Sequence, residues 1–173
     1  GMVNDLLDIT RLESGAIGAE TEATDLGSLT RSVLHDLAGA IADKGHEMSV
    51  RGADELPPVV VDPRLFREVI QNLVSNAVKY TPARGTIAIG MRQAGDEIEW
   101  TIEDNGIGIP EAGQHRLFEK FYRAGNAASV DPGGKGLGLY LVRLVLERFG
   151  GRIRWTSAEG RGTTFAFTLP LER

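Results

Sequence analysis

The chain contains no cysteine, which excludes a disulfide scaffold, a thiolate zinc site and a cysteine nucleophile, and fits a reducing compartment. It has no apolar run near the roughly 20 residues that a membrane-spanning helix needs, and its opening residues do not read as a signal peptide. No internal repeat is visible. Cations are in the minority, 19 Lys and Arg against 24 Asp and Glu, and the net charge of −5 argues against non-specific nucleic-acid binding. Glycine is abundant, at 22 of 173 residues. With 42% hydrophobic and 25% charged residues, this is the composition of a soluble globular domain with a short appendage.

Charge is uneven along the chain. Residues 1–80 hold 7 basic and 13 acidic residues, whereas residues 81–173 hold 12 and 11, so the glycine-rich later half is the better place for a phosphate site. Gly1 ahead of Met2 reads as a cloning remnant, with the natural chain expected to begin further upstream. Val3, Leu6, Leu7, Ile9 and Leu12 predict an amphipathic helix over residues 2–14 that stops at Gly15, followed by a polar linker over residues 16–24. Asp25 can cap a second helix over residues 26–44, and Pro63 opens a third that runs to Tyr80 before Pro82. Short extended pieces around Met48–Val50 and Val59–Val61 lie between these two.

Four later segments alternate with a period of two: Ile87, Ile89, Met91; Ile98, Trp100, Ile102; Ile153, Trp155; and Phe165, Phe167, Leu169. Each has one apolar face, which predicts a half-covered, largely antiparallel sheet. A helix over residues 137–149 separates the second pair of strands from the first. The expected fold class is α+β: a two-layer α/β sandwich, with a mixed, mostly antiparallel sheet covered by helices on one face.

Chemistry-bearing residues cluster in four segments. Asn72, Asn76 and Lys79 share one face of the third helix, where amide oxygens can ligate Mg²⁺ and a lysine can meet phosphate. Asparagine usually sits at caps, so two in mid-helix invite a reason, although a solvated helix face would also account for them. The strand ending at Asp104 runs into Asn105-Gly106-Ile107-Gly108-Ile109, which puts an acceptor at a pocket rim where backbone can approach a flat ligand; a plain turn has the same composition. Phe118, Phe121, Tyr122 and Arg123 precede a stretch poor in large apolar residues, the pattern of an anchored hinge for a mobile loop. Gly133-Gly134-Lys135-Gly136-Leu137-Gly138 then leads into a helix, so backbone N–H groups can surround phosphate oxygens. This is not a Walker A loop, because Ser129 stands where the first glycine belongs. Nor is it a dinucleotide fingerprint, which directly follows a strand.

In this order the segments closely resemble the catalytic, ATP-binding domain of bacterial sensor histidine kinases, within the superfamily of gyrase, heat-shock-chaperone and mismatch-repair ATPases and its Bergerat-type fold. Asn72 to Tyr80 resembles the N box, Asp104 to Ile109 the first glycine box, Phe118 to Arg123 the F box and Gly134 to Leu139 the second glycine box. Gly162-Thr163-Thr164-Phe165 resembles the closing strand motif. The likeness runs from residue 25 to the end.

The resemblance implies a role for each residue. Asn76, assisted by Asn72, would ligate a Mg²⁺ that bridges the phosphates of ATP, with Lys79 on phosphate and Tyr80 against the nucleotide. Asp104 would accept from the adenine amino group, helped by Thr163, with Gly106, Gly108 and Ile109 around the base. Lys135, Gly136, Leu137 and Gly138 would close over the phosphates, and Arg123 is a candidate phosphate-facing charge. In the ATP-hydrolysing relatives a glutamate that activates water lies four residues before the Mg²⁺ asparagine. Here that position is Asn72, which has no suitably basic lone pair, so slow hydrolysis is expected.

The resemblance also implies a histidine acceptor in a separate dimerisation domain. His35-Asp36 begins like the acceptor box but lacks its Thr/Asn and Pro and sits in the wrong helix, so the acceptor is expected upstream of residue 1. Residues 6–15 resemble the end of that domain's second helix. Domains are therefore expected at residues 1–15 (remnant), 16–24 (linker) and 25–173 (catalytic). Expected partners are the phosphoacceptor domain of the same protein, dimeric at full length, and a response regulator. The expected location is cytoplasmic, with the full-length protein anchored in the inner membrane. The alternatives are a nucleotide-binding module without transfer activity, or a serine kinase or ATPase of the same superfamily.

Overall fold

The computed structural model describes residues 9–10, 13–15, 18–54 and 56–171. Most of the helix expected over residues 2–14, and residues 16–17 of the expected linker, lie outside them. The elements run β1 (Glu22–Thr24), α1 (Leu26–Asp36), α2 (Ala38–Lys44), β2 (Glu47–Arg51), β3 (Val59–Val61), α3 (Pro63–Tyr80), β4 (Thr86–Ala94), β5 (Glu97–Asp104), α4 (Glu111–Gln114), α5 (Ala127–Val130), α6 (Gly138–Arg148), β6 (Arg152–Ala158) and β7 (Gly162–Pro170).

Local chemistry explains the helix boundaries. The Asp25 carboxylate accepts from Ser28 N at 3.1 Å and opens α1. Buried Asp62 does the same for α3, accepting from Arg64 N at 3.0 Å and Leu65 N at 3.4 Å, with Pro63 supplying a first residue that needs no N–H partner. The helix expected over residues 26–44 is interrupted once, at Leu37, whose ψ of 1° leaves the helical well. Helical bonding nonetheless continues through it, from Leu37 N to Val33 O and from Ile41 N to Leu37 O. Residues 22–24, expected in the linker, form a strand instead. Their backbone groups pair antiparallel with β3, and Glu20 N donates to Asp62 Oδ2 at 3.1 Å, so this segment is tied to the start of α3.

A five-stranded sheet in the order β2-β4-β5-β7-β6 forms the second layer, parallel only between β2 and β4. Helices α1, α3 and α6 cover one face. On that side Ile98, Trp100 and Ile102 of β5 and Phe165, Phe167 and Leu169 of β7 are buried with Phe66, Ile70, Leu73 and Val74 of α3. Trp100 stacks on Phe167 with centroids 5.2 Å apart, and its Nε1 donates to Thr30 Oγ1 at 3.0 Å, so the one polar atom of the ring is satisfied inside the core. The opposite face carries ion pairs, with Glu99 between Arg92 and Arg154. This is the two-layer α+β sandwich expected from the alternation. Among the described residues no helix is long and apolar enough to cross a membrane.

Candidate functional site

The C-terminal end of β5, the start of β7 and the last turns of α3 open into a cleft of about 440 Å³, closed on its far side by the segment that leads into α6. Sheet register sets its floor. Asp104 lies opposite Thr163, and Thr163 opposite Ser157, so one residue from each of β5, β7 and β6 stands in a row. Asp104 Oδ1 accepts from Gly106 N at 2.9 Å and Thr163 N at 3.3 Å, leaving Oδ2 as an acceptor at the cleft. Burial raises the Asp104 carboxyl above the ordinary aspartate value, outweighing these two donors, and Glu103 adds to the rise.

The turn after β5 is held by backbone and needs its glycines. Gly108 has φ of 64°, and a Cβ there would lie 2.0 Å from Ala158 O. Ile107 N donates to Tyr80 O at 3.0 Å and Gly160 N to Ile107 O at 2.7 Å, which fastens this turn both to α3 and to the β6–β7 hairpin. Gly106 contributes its N–H to Asp104 and its close approach to Tyr80 O, where a Cβ would lie 2.5 Å away, whereas Gly108 and Ile109 line the cleft.

Helix α3 presents Asn72, Asn76, Lys79 and Tyr80 to the same cleft. The Asn72 amide nitrogen donates to Glu68 O at 2.8 Å, and its Oδ1 abuts Gly138, where a Cβ would lie 2.5 Å from that oxygen. Among the described residues the Asn76 side chain has no hydrogen-bond partner, and it is half-buried, so its amide remains available to a ligand. Lys79 Nζ reaches Asp131 Oδ2 at 3.3 Å across the cleft mouth, a half-exposed pair of small energetic worth that a phosphate could replace.

The covering segment, residues 124–138, contains a turn of helix, α5, within the expected loop. Arg123 organises it: its guanidinium donates to the carbonyls of Asp131, Ala127 and Pro132. Asn126 Nδ2 donates to Gly108 O at 3.0 Å, joining this segment to the turn after β5. Lys135, Gly136, Leu137 and Gly138 line the cleft. Gly136, at φ 71°, packs against the backbone of Phe121 and Tyr122 so closely that a Cβ would sit 2.6 Å from Tyr122 O. Phe118 is anchored on Trp155 at 5.0 Å and Tyr122 is half-buried below Arg116, while Phe121 is exposed. Sequence reasoning missed Ser157, Gln114, Asn126 and Asp131. Each is an ordinary polar residue whose part depends on a partner more than ten positions away or on a carbonyl, and no local pattern marks it.

Residues 61–173 match the family of histidine kinase-, DNA gyrase B- and HSP90-like ATPases. The chain belongs to this family. Over 99% of its length it is 37% identical to the signal transduction histidine-protein kinase BarA of Escherichia coli, covering 19% of that protein. It is 32% identical over 98% to the circadian input-output histidine kinase CikA of Synechococcus elongatus, covering 23%. Over 99% it is 35% identical to the adaptive-response sensory kinase SasA of a Synechococcus species, covering 45%. It thus spans less than half the length of these relatives. Among solved structures, full-length ShkA in complex with AMPPNP superposes with a TM-score of 0.82 at 28% identity, over 97% of this chain and 35% of that one. The nucleotide-free catalytic domain of ThkA gives 0.74 at 26%, over 87% and 95%. The chain is a sensor-histidine-kinase ATP-binding catalytic domain.

Proposed function

We propose that this domain holds Mg²⁺-ATP in the cleft and delivers its γ-phosphoryl group to a histidine on the phosphoacceptor domain of the same protein, for onward transfer to a response regulator. The observation that carries this reading is the convergence of a half-buried acceptor, Asp104, with a lysine, Lys79, and an amide, Asn76, that has no partner among the described residues, in one cleft. Asp104 accepts from the exocyclic amine of adenine, which places the triphosphate toward α3 and the glycine-rich segment. Lys79 exchanges Asp131 for phosphate, and Arg123 holds the covering segment together from within.

The donor set suits Mg²⁺. Asn76 offers one hard amide oxygen, and no cluster of acidic or histidine ligands exists among the described residues, which fits an ion that takes most of its ligands from phosphates and water. When bound, Mg²⁺ neutralises charge on the phosphates. Asn72 is the neighbour on the same helix face, and because its amide cannot take a proton from water, the cleft favours transfer over hydrolysis.

The deciding experiment mixes this chain with γ-labelled ATP, Mg²⁺ and a polypeptide carrying the upstream dimerisation segment. Acid-labile, base-stable label on a histidine is the expected result; labelled serine or brisk release of inorganic phosphate would overturn it. Asn76→Ala is expected to abolish Mg²⁺-dependent ATP binding, measured by titration calorimetry, with little change in melting temperature.

A further inference from the structure

We infer that Ser157, which no contact with nucleotide would reveal, sets the preference for a 6-amino over a 6-oxo purine by fixing the direction of the Thr163 hydroxyl proton. The inference rests on the nucleotide reading above and concerns how the same cleft reads the base. Ser157 Oγ has three neighbours: Ile109 N at 2.9 Å, Gly162 O at 3.0 Å and Thr163 Oγ1 at 2.8 Å. Their chemistry permits one arrangement of protons. The amide can only donate and the carbonyl can only accept, so the single Ser157 proton goes to Gly162 O. The remaining Ser157 lone pair must then receive the proton of Thr163.

Thr163 therefore has no proton left to offer. Toward the cleft its hydroxyl presents only an acceptor, beside the Asp104 carboxylate, which receives the Thr163 amide. Two acceptors side by side welcome a donor such as the amine at C6 of adenine. They oppose the carbonyl oxygen that inosine and guanine carry there, and an unmatched buried acceptor pair is costly. Position as well as proton is fixed. Ser157 and Thr163 are register partners on adjacent strands, and Gln114 Nε2 donates to both Ser157 O at 3.1 Å and Ile109 O at 3.0 Å, which holds the serine backbone in place.

Removing Ser157 releases the Thr163 proton, and the hydroxyl can turn to donate to a 6-oxo group. The test measures dissociation constants of ATP and inosine triphosphate for the unaltered chain, Ser157→Ala and Ser157→Thr. The unaltered chain is expected to favour ATP on the order of a hundredfold. In Ser157→Ala that ratio is expected to fall about tenfold, because inosine triphosphate binds better relative to ATP, and Ser157→Thr, which keeps a hydroxyl, restores it. A serine that only braces the fold would weaken both ligands equally, and an unchanged ratio overturns the inference. Should Ser157→Ala not fold, Thr163→Val carries the test: it removes the same acceptor while leaving Ser157 on Ile109 and Gly162, and its ratio must also fall. A chain that binds neither triphosphate overturns the nucleotide reading and this inference with it. One that binds ATP with the same ratio in all variants overturns the inference alone.

Discussion

At Asp104 the charge that the proposed adenine contact requires works against the stability of the fold. Burial raises its carboxyl above the ordinary 3.8, against the pull of the Gly106 and Thr163 amides. The folded state therefore takes up a proton at a higher pH than the unfolded chain does. In the window between 3.8 and the raised value, the folded state holds more protons than the unfolded, so nucleotide-free stability falls as pH rises through it. Ionised Asp104 is thus a cost to the fold, one that the proposed adenine contact would account for. Asp104→Asn is expected to leave the melting temperature at neutral pH unchanged or higher while weakening ATP binding about tenfold or more, since an amide can present its N–H₂ to the base. In the native chain, ATP affinity should decline on acidification earlier than an exposed aspartate would cause, and in Asp104→Asn that part of the profile should be flat. Calorimetric titration across acidic pH checks both. Neighbouring glycines are constrained for steric reasons. A Cβ on Gly162, at φ 103°, would lie 1.9 Å from Asp104 O, so Gly162→Ala should cost more than about 2 kcal/mol in urea denaturation and displace the acceptor itself.

Helix α3 brings Asn72, Asn76, Lys79 and Tyr80 to the cleft, and its C-terminal end is held from another helix. Lys44 Nζ, at the end of α2, donates to Val78 O at 2.8 Å, Lys79 O at 2.7 Å and Thr81 O at 3.1 Å. His46 Nε2 shares the carbonyls of Thr81 and Pro82, so that nitrogen carries the proton. These donors satisfy carbonyls that a helix end leaves open and place a cation against its dipole. Lys44→Met is expected to cost about 1–2 kcal/mol by urea denaturation and to raise the dissociation constant for ATP, because Lys79 and Tyr80 occupy that last turn. The contrast with the rest of α3 explains what could be read beforehand. Its start, core face and stop follow from Asp62-Pro63, apolar spacing and Pro82, all local signals, and the alternating strands were equally legible. Boxes such as Asn72 to Tyr80 were legible because their chemistry sits on one helix face. Lys44 is 35 residues from Lys79 and Ser157 is 48 from Ile109. Such partners meet only through tertiary packing, so neither periodicity nor motif could expose them. The strand at Glu22–Thr24 was missed for the same reason, since three residues become a strand only when β3 is beside them.

At the scale of the whole molecule, the described N-terminal residues dock beside the cleft. Ile9 is buried with Leu137 and Tyr140, and Leu137 also lines the cleft, so one side chain is shared by the N-terminal contact and the cleft. Glu13 fixes the arrangement: its carboxylate accepts from the Tyr140 hydroxyl and pairs with Lys120 Nζ at 2.6 Å. Those hydrogen bonds, Lys120 first and Tyr140 second, hold the Glu13 carboxyl below its ordinary 4.5. A depressed carboxyl contributes its contact fully above the ordinary value and loses it as pH falls through the depressed one. The docked state should therefore persist unchanged from neutral pH down to about the ordinary glutamate range and open only below it. Because the pair is exposed to solvent, 1 M salt should loosen it at neutral pH, whereas the Ile9 seat, being apolar, should resist salt. Tyr140 ring resonances report both. Glu13→Gln is expected to shift them at neutral pH toward the values the native chain reaches in acid, and Ile9→Ala to shift them at every pH and salt concentration. Since Leu137 belongs to both contacts, ATP should alter the Tyr140 signals of the native chain, and by reciprocity Ile9→Ala should alter ATP affinity by up to the factor by which ATP alters docking. Tyr140 signals indifferent to ATP, together with an unchanged affinity in Ile9→Ala, would mean that the shared side chain transmits nothing between the two.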